Sequence, residues 1–319
     1  MDKTKTILVT GGAGFIGSHL VEKLARSARK VVVLDNLRTG KTSNLKTVME
    51  KANFTFIRGD LLDRAILREA LKDVEAVFHL AANPETSVGS FDTSVDFEQN
   101  LVATHNLLDE MSRVGKAKRI AFTSTSTIYG EAETMPTPED YGPLVPISLY
   151  GASKLGCEAL ITAYCHMFDF QTVIYRFANV VGTRNSHGVV YDFIKKLRNN
   201  PRELEILGDG SQSKSYMYVT DCVEAFLVGL RNLDERVRIL NVGSEDQVDV
   251  MTIARIVVEE MGLKDVRLRP IGGFEGRGWK GDVKRMLLDA SKIRALGWRP
   301  AYGSAEAIRQ AAKHALRGM

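Results

Sequence analysis

The stretch Gly11-Gly12-Ala13-Gly14-Phe15-Ile16-Gly17 decides the fold of this chain. It follows the short apolar run Thr6–Thr10 and precedes a segment, from Ser18 to Arg26, with the apolar spacing of a helix. Glycines at positions 11, 14 and 17 leave the backbone free to approach a phosphate group at the N-terminus of that helix. A glycine-rich turn alone is a weak signal, but this one joins a strand to a helix. The stretch therefore predicts a dinucleotide-binding fold.

Apolar runs typical of buried strands alternate with helical segments as far as residue 178. Further strands are predicted at residues 30–34, 54–57, 76–80, 119–123 and 172–176, and helices at residues 65–71, 92–112 and 150–168. This alternation is typical of a parallel sheet covered by helices on both faces. We therefore predict an α/β protein with a doubly wound parallel sheet of the Rossmann type and a smaller α/β substrate-binding lobe.

The pattern loosens after residue 178. Loops are predicted at residues 182–188, 208–210 and 272–281, helices at 221–230 and 250–262, and one more strand at 239–243. No low-complexity linker separates the two parts, so we predict two domains made of interleaved segments. The dinucleotide-binding domain takes residues 1–178 with 216–244, and the second domain takes residues 179–215 with 245–319.

A tyrosine and a lysine stand four residues apart, at Tyr150 and Lys154. On a helix their side chains share a face, about 5–6 Å apart at Cβ. An ammonium beside a phenol favours the phenolate, so we expect the pKa of Tyr150 to fall from its ordinary value of about 10. Such a pair alone is usually an exposed helix pair. Downstream of the glycine turn it predicts a base that takes a proton from a hydroxyl while hydride leaves the same carbon for a nicotinamide cofactor.

Acidic residues follow two of the predicted strands. Asp35 ends the second strand, where a carboxylate binds both ribose hydroxyls of adenosine and repels a 2′-phosphate, which favours NAD over NADP. Arg38 and Lys41 lie close by in the sequence and leave that preference open. Asp60 follows the third strand, where it is suited either to contact the adenine amino group or to cap a helix.

Four hydroxyl residues in a row, Ser124 to Thr127, follow the fifth strand. A polar strand end is common. Because this one lies about 25 residues before Tyr150, we interpret these hydroxyls as partners of a substrate oxygen and of the Tyr150 phenol.

Composition and charge narrow the class of protein. The net charge of +4 is spread over the chain without a block of like charges, which argues against a nucleic-acid or membrane partner. The three cysteines are odd in number and lack metal-ligand spacing, so we predict no disulfide framework and no metal site. The N-terminal residues Met1–Lys5 run directly into a strand without a secretory signal, and no apolar run is long enough to span a membrane. We expect a cytoplasmic protein.

These segments, taken in order, resemble the extended short-chain dehydrogenases/reductases, and within that family the UDP-glucose 4-epimerases. The similarity covers nearly the whole chain. The matching segments are residues 11–17, 35–36, 80–82, 124–130, 150–154, 176–179, 208–212 and 218–221.

The resemblance implies a role for each matching position. Thr125, with Ser126 as the alternative, supplies the catalytic hydroxyl, Tyr150 is the acid/base, and Lys154 binds the nicotinamide ribose and tunes Tyr150. NAD is the implied cofactor, a UDP-hexose the implied substrate, and the second domain the nucleotide-sugar-binding domain. The implied cofactor-binding residues are Gly11, Gly14, Phe15, Ile16, Gly17, Asp35, Asn36, Asp60, Leu61, Leu80, Ala81, Ala82, Asn100, Ser124, Tyr150 and Lys154. The implied substrate-binding residues are Asn179, Val189, Val190, Lys214, Tyr216 and Arg277.

The implied reaction is interconversion of UDP-galactose and UDP-glucose through a 4-keto sugar. Sugar 4,6-dehydratases of the family carry carboxylates where this chain has Ser126 and Thr127, which argues against dehydration. A UDP-N-acetylhexosamine 4-epimerase and a UDP-glucuronate decarboxylase stay open, and a non-catalytic NAD sensor has no need of Tyr150 and Lys154. The family also forms homodimers through a four-helix bundle, here residues 92–112 and 150–168.

The chain departs from the family where the diphosphate is held. Lys214 stands where the family often has arginine, and Trp279 occupies the position of a second arginine, with Arg277 and Lys280 beside it. Lysine does not clamp a phosphate through two parallel hydrogen bonds as arginine does. Arg277 is therefore open to two interpretations, as a phosphate ligand or as one partner of a surface salt bridge.

Overall fold

The computed structural model describes residues 5–318, so the expectation about the residues before Lys5 lies outside the described part. The strands are β1 (Thr6–Thr10), β2 (Lys30–Asp35), β3 (Phe54–Arg58), β4 (Ala76–His79), β5 (Arg119–Thr125), β6 (Gln171–Phe177), β7 (Asn179–Val181), β8 (Glu203–Leu207), β9 (Ser213–Lys214), β10 (Tyr216–Tyr218), β11 (Val237–Val242), β12 (Val248–Asp249), β13 (Arg267–Ile271) and β14 (Arg285–Met286). The α-helices are α1 (Phe15–Leu24), α2 (Arg64–Ala70), α3 (Ser94–Asp96), α4 (Ala103–Val114), α5 (Leu149–Phe168), α6 (Val189–Asn199), α7 (Val219–Arg231), α8 (Val250–Glu260), α9 (Ser291–Ala295) and α10 (Ser304–Gly318).

A seven-stranded sheet with strand order β11-β6-β5-β4-β1-β2-β3 forms the centre of the fold. Strand β1 lies inside this sheet and pairs in parallel with β2 and β4, so that Thr10 lies opposite Leu34 on one side and His79 on the other. The residues of β1 are buried, as are those of β2 after Lys30, which is expected of a sheet covered on both faces. The predicted α/β class with a doubly wound parallel sheet is confirmed. The carboxyl ends of these strands meet at one edge.

The chain divides into two compact units. One unit takes the chain up to Thr125 together with Leu149–Arg176 and Val223–Leu240, and the other takes Ser126–Ser148, Phe177–Cys222 and the chain from Asn241 onward. This division differs from the predicted domains mainly at residues 126–148 and 216–222, which belong to the second unit. In the sequence these segments adjoin predicted strands and helices of the sheet, and only long-range packing assigns them.

The helix predicted over residues 92–112 is present, because residues 94–114 are helical without a break. The sequence pattern did not predict the π-helix over Phe97–Val102, which lies between α3 and α4. In this π-helix the Asn100 carbonyl accepts a hydrogen bond from the Thr104 hydroxyl at 2.6 Å and from the Cys157 thiol at 3.4 Å. Side chains that take a helix carbonyl in this way bend the helix.

The second unit was only partly predictable. The helices expected at residues 221–230 and 250–262 are present as α7 and α8, and the strand at 239–243 as β11. Sequence patterns missed α6, α10 and the parallel pair formed by β8 and β13. None of the helices described over residues 5–318 is long and apolar enough to cross a membrane.

Aromatic packing fixes α7 against the sheet. The Phe226 ring meets Phe78 edge-on at a centroid distance of 5.9 Å and Tyr175 at 4.9 Å, and the Tyr175 hydroxyl donates to the Phe226 carbonyl at 2.9 Å. All three side chains are fully buried. This cluster ties a helix from late in the chain to strands formed early in it.

We predict that Phe226→Ala lowers the free energy of unfolding by about 3–5 kcal/mol, because it leaves a cavity among buried rings. Urea titration followed by circular dichroism measures it. Phe91→Ala is the matched control, since Phe91 is 91% exposed and its loss should cost less than about 0.5 kcal/mol. Equal effects of the two substitutions would contradict the packing described.

Candidate active site

The glycine turn is closed by backbone contacts that exclude side chains. A Cβ atom on Gly17 would lie 2.2 Å from the Gly11 carbonyl oxygen, and one on Gly11 would lie 2.7 Å from the Ala81 nitrogen. Gly11 also has a φ of +69°, which favours glycine. The turn therefore packs tightly on itself and on the end of β4.

The N-terminus of α1 opens from this turn and is suited to an anion. Gly14 is its N-cap, and no side chain among residues 5–318 caps the helix or places an acidic group in its first turn. Phe15 and Ile16 begin the helix and are half-buried. Helix N–H groups left free in this way, with the positive end of the helix dipole, bind phosphate.

Asp35 lies at the end of β2 and bends the following loop over the glycine turn. Its Oδ2 accepts a hydrogen bond from the Ala13 N–H at 2.9 Å and its Oδ1 from the Leu37 N–H at 2.8 Å. Burial raises the pKa of the Asp35 carboxyl, and these two hydrogen bonds act in the opposite direction. Arg38 and Lys41 are exposed. A carboxylate at this strand end fits adenosine ribose hydroxyls.

Asp60 does not cap a helix, since the cap of α2 is Asp63. Instead, the Asp60 Oδ2 accepts from the Asn36 side chain at 2.8 Å, and its Oδ1 accepts from the Leu62 N–H at 2.9 Å. These contacts join the loops after β2 and β3. An adenine contact of Asp60 stays a prediction.

The remaining expected cofactor residues follow the strands at the same edge. Leu61 is buried after β3, and Leu80, Ala81 and Ala82 are half-buried after β4. Asn100 is buried in the π-helix, where its amide donates to the Ser153 hydroxyl at 2.9 Å and its Oδ1 accepts from the Asn83 N–H at 2.8 Å.

Lys154 lies on α5 with its ammonium buried. Its Nζ donates to the Thr123 carbonyl at 2.8 Å and lies 4.7 Å from the centroid of the Phe122 ring. Burial lowers the pKa of Lys154 to about 8, and the negative charges of Glu158 and Asp96 act in the opposite direction.

Tyr150 lies one helical turn before Lys154, and its side chain keeps part of its surface exposed. The expectation that the pKa of Tyr150 is lowered is wrong when only the protein groups around the phenol act on it. Burial raises this pKa, and the nearby Asp96 and Cys157 raise it further. The expectation failed because it weighed only the lysine four residues away, while desolvation and a carboxylate distant in sequence act on the same phenol.

The four-hydroxyl run spans the end of β5 and the turn of helix that follows it. The Ser124 hydroxyl donates to Glu158, which forms a buried ion pair with Arg176 at 2.8 Å. The Ser124 hydroxyl is therefore held by Glu158 in the core. Its predicted contact with the cofactor stays a prediction. Thr125 ends β5, and Ser126 begins a 3₁₀-helix over Ser126–Tyr129.

In the second unit, Asn179 and Tyr216 lie opposite each other on the paired strands β7 and β10. The Asn179 Nδ2 is buried and has no hydrogen-bond partner in the described part of the chain. A buried donor without a partner costs free energy unless a ligand satisfies it. Burial, with the nearby charge of Asp282, raises the pKa of Tyr216.

Two cations of this unit are held by carboxylates. Lys214 Nζ pairs with Asp282 at 2.5 Å, and Arg277 pairs with Glu131 while donating to the Asp282 carbonyl at 2.7 Å. Arg277 therefore forms a salt bridge, as one of its two interpretations expected. Its side chain is mostly buried rather than on the surface. Both cations lie next to Asp282.

Val189 and Val190 begin α6, whose N-cap Gly188 has no side-chain hydrogen bond from the described residues. The Val190 side chain is buried and Val189 is half-buried.

Sequence reasoning missed several residues that hold the site. Glu158 had a detectable signal, because it follows Lys154 by four residues on the same helix face. The pairing of Asn83 with Asp96, of Glu131 with Arg277 and of Asp282 with Lys214 had none, since each joins residues that are not neighbours in the sequence. The three cysteines are buried and free, and residues 5–318 hold no group of three metal-ligating side chains.

A model of the NAD dependent epimerase/dehydratase family matches residues 7–243. The chain belongs to this family. It is 33% identical over 309 residues to a putative UDP-glucose 4-epimerase of Methanocaldococcus jannaschii, a match that covers 95% of this chain and 96% of the relative. The similarity to this relative therefore extends over almost the whole length of both proteins.

Solved structures show the same architecture. One named UDP-galactose 4-epimerase is 41% identical, with a TM-score of 0.87 and coverage of 98% of this chain and 99% of that one. The UDP-glucose 4-epimerase of Thermus thermophilus, solved with NAD, is 35% identical, with a TM-score of 0.85 and coverage of 98% and 99%. Other neighbours are named as epimerases of UDP-N-acetylglucosamine and UDP-glucuronic acid and as a dTDP-glucose 4,6-dehydratase. The chain is an NAD-dependent enzyme of this family.

We predict that Glu158→Gln destabilises the protein by about 3–5 kcal/mol, because it leaves the Arg176 guanidinium buried without its counterion. Thermal unfolding checks this. Glu69→Gln removes an exposed carboxylate and serves as the control, expected to change stability by less than about 0.5 kcal/mol. A Glu158→Gln protein as stable as that control would contradict a structural role for the ion pair.

Proposed function

We propose that this enzyme is a 4-epimerase that interconverts UDP-galactose and UDP-glucose through a 4-keto sugar. The observation that carries the proposal is the pair of Tyr150 and Lys154 on one face of α5, with the Lys154 ammonium bonded to the carboxyl end of β5. Similarity to a structure named UDP-galactose 4-epimerase over 98% of the chain supports the choice of substrate.

The residues of the first unit are suited to hold NAD. We propose that the free N–H groups of α1 bind its pyrophosphate, that Asp35 binds the adenosine ribose, and that Lys154 binds the nicotinamide ribose. When bound, NAD supplies the acceptor and donor of hydride, and its positive charge opposes the effect of burial on the Tyr150 phenol.

We propose that Tyr150 is the residue that transfers protons to and from the substrate. In the proposed reaction the Tyr150 phenolate takes the proton of the sugar 4-hydroxyl, and the phenol so formed later returns that proton to the 4-keto oxygen. Thr125, or Ser126, donates a hydrogen bond to the same sugar oxygen. The Lys154 ammonium favours the phenolate form.

We assign the nucleotide-sugar diphosphate to Lys214 and Arg277. Because both cations already contact Asp282 or Glu131, binding would exchange a carboxylate partner for a phosphate. Asn179, with its buried unpartnered amide, and Tyr216 would contact the substrate, as would the first backbone groups of α6 at Val189 and Val190.

Two related activities keep some support. UDP-N-acetylhexosamine epimerisation and UDP-glucuronate decarboxylation use the same tyrosine and lysine, and neighbours at 28–29% identity are named for UDP-N-acetylglucosamine and UDP-glucuronic acid epimerases. Dehydration has less support, although dehydratases are among the neighbours, because Ser126 and Thr127 offer no carboxyl group.

We also propose a cytoplasmic homodimer, formed by the outer faces of α4, α5 and the π-helix. Phe97 and Met167 are exposed there, and Leu101, Leu160 and Tyr164 are half-buried. Leu108, which sequence alone could not assign, is fully buried and belongs to the core.

The direct test mixes the purified protein with UDP-galactose without added cofactor and analyses the nucleotide sugars by NMR. UDP-glucose should form until both sugars are at equilibrium. UDP-galactose that stays unchanged even after NAD is supplied would overturn the proposal. Conversion of UDP-N-acetylglucosamine or UDP-glucuronate in parallel reactions would then identify the activity.

Tyr150→Phe should lower kcat by at least about 10²-fold while NAD still binds, because only the proton acceptor is removed. Tyr164→Phe, a half-buried tyrosine on the same helix, is the matched control and should keep wild-type turnover. Turnover by Tyr150→Phe equal to that of the control would contradict the assigned role.

Lys214→Gln should raise the KM for UDP-galactose about tenfold with little change in kcat, because a charge-assisted contact is lost equally from substrate and transition state. Steady-state kinetics measures both constants. Lys264→Gln, at an exposed position, is the control. An unchanged KM would mean that Lys214 does not hold the diphosphate.

A further inference from the structure

Asp96 is a buried carboxylate that lies outside the segments matching the family and has no part in the proposed mechanism. It lies at the end of α3, before the π-helix, and only 1% of its surface is exposed. Its Oδ1 accepts hydrogen bonds from the Asn83 amide at 2.9 Å and from the Asn100 amide at 3.3 Å. Its Oδ2 is buried and has no partner among residues 5–318.

These amides connect Asp96 to the helix turn that carries the catalytic pair. Asn100 also donates to the Ser153 hydroxyl at 2.9 Å, and Ser153 donates to the Tyr150 carbonyl at 2.8 Å. Ser153 itself stands between Tyr150 and Lys154 in α5. The chain of contacts from Asp96 to Tyr150 therefore consists of two buried hydrogen bonds and one partly buried hydrogen bond, each with a defined donor.

We propose that Asp96 is a positioning residue for the reaction: its carboxylate orients Asn83 and Asn100, which fixes the first turn of α5, and it places an uncommitted negative charge beside Tyr150 and Lys154. Through this charge Asp96 stabilises the Lys154 ammonium and opposes formation of the Tyr150 phenolate. The residue therefore sets the pH range in which the pair works.

Burial raises the pKa of Tyr150, and groups on two elements, α3 and α5, shift it further. Asp96 of α3 raises the pKa of Tyr150 by charge repulsion, and Cys157 of α5 acts in the same direction. Burial raises the pKa of the Cys157 thiol itself, so at neutral pH this group is uncharged. Lys154 is the cation on the same helix. Burial raises the pKa of Asp96 as well, while the hydrogen bonds from Asn83 and Asn100 and the charge of Lys154 act in the opposite direction. In its ionised form, Asp96 is the group that disfavours the phenolate.

Lys154 faces two carboxylates, Glu158 and Asp96, and both raise its pKa against the effect of burial. Glu158 is committed to Arg176 and to Ser124. His79, whose charge would repel the ammonium, is neutral because burial lowers its pKa to about 3. Asp96 is therefore the carboxylate near Lys154 without a cationic partner of its own.

Asp96→Asn tests the charge separately from the hydrogen bonds, because the amide oxygen still accepts from Asn83 and Asn100. In the NAD-bound enzyme, titration of near-ultraviolet tyrosinate absorbance, with Tyr150→Phe as the reference, should show the pKa of Tyr150 lowered by about one unit or more. The pH profile of kcat should move to lower pH as a whole. Asp92→Asn, an exposed aspartate on the same segment, should leave both measurements unchanged.

Ser153→Ala is the second variant, and it breaks the link to α5 without changing any charge. It should reduce kcat without moving the pH profile. If Asp96→Asn lowers kcat but leaves the Tyr150 titration and the profile in place, the inference is overturned and the role of Asp96 is only structural. The kinetic measurement rests on the proposed function, whereas the absorbance titration does not, so failure of each is distinguishable.

Discussion

The buried ammonium of Lys154 is the constraint on which the first unit depends. A buried charge is costly unless it is hydrogen-bonded and compensated, and Lys154 is only 3% exposed. The Thr123 carbonyl and the Phe122 ring provide direct contacts, while Glu158 and Asp96 provide negative charge. These partners lie on β5, α5 and α3, so the position of Lys154 requires the three elements to be in place together.

Two kinds of contact hold the glycine turn and the helix α5 of this unit in place. The glycine turn is held by steric exclusion, since a side chain at Gly17 would overlap the Gly11 carbonyl, and this packing leaves the N-terminus of α1 open for a phosphate. The helix α5 is held by polar contacts in its interior, above all the Glu158–Arg176 ion pair. In the proposed function, the first contact leaves room for the dinucleotide, and the second holds the helix that carries Tyr150 and Lys154.

Local patterns carried most of what could be predicted. The glycine turn, Asp35 at a strand end and the tyrosine–lysine pair are each contained in a few residues, and parallel strands bring them to one sheet edge. Partners distant in sequence could not be predicted, because nothing in a single chain links residues such as Lys214 and Asp282, which are 68 positions apart. The raised pKa of Tyr150 has the same origin, since desolvation and Asp96 arise only from tertiary packing.

The proposed reaction removes hydride from C4 of a UDP-hexose and returns it to the same carbon. The most direct test uses UDP-galactose deuterated at C4, with the product analysed by NMR and mass spectrometry. We expect UDP-glucose that retains the deuterium at C4, because the hydride stays within the enzyme and does not exchange with water. A product that has lost the label to solvent, or one in which the configuration at C4 is unchanged, would contradict this reaction.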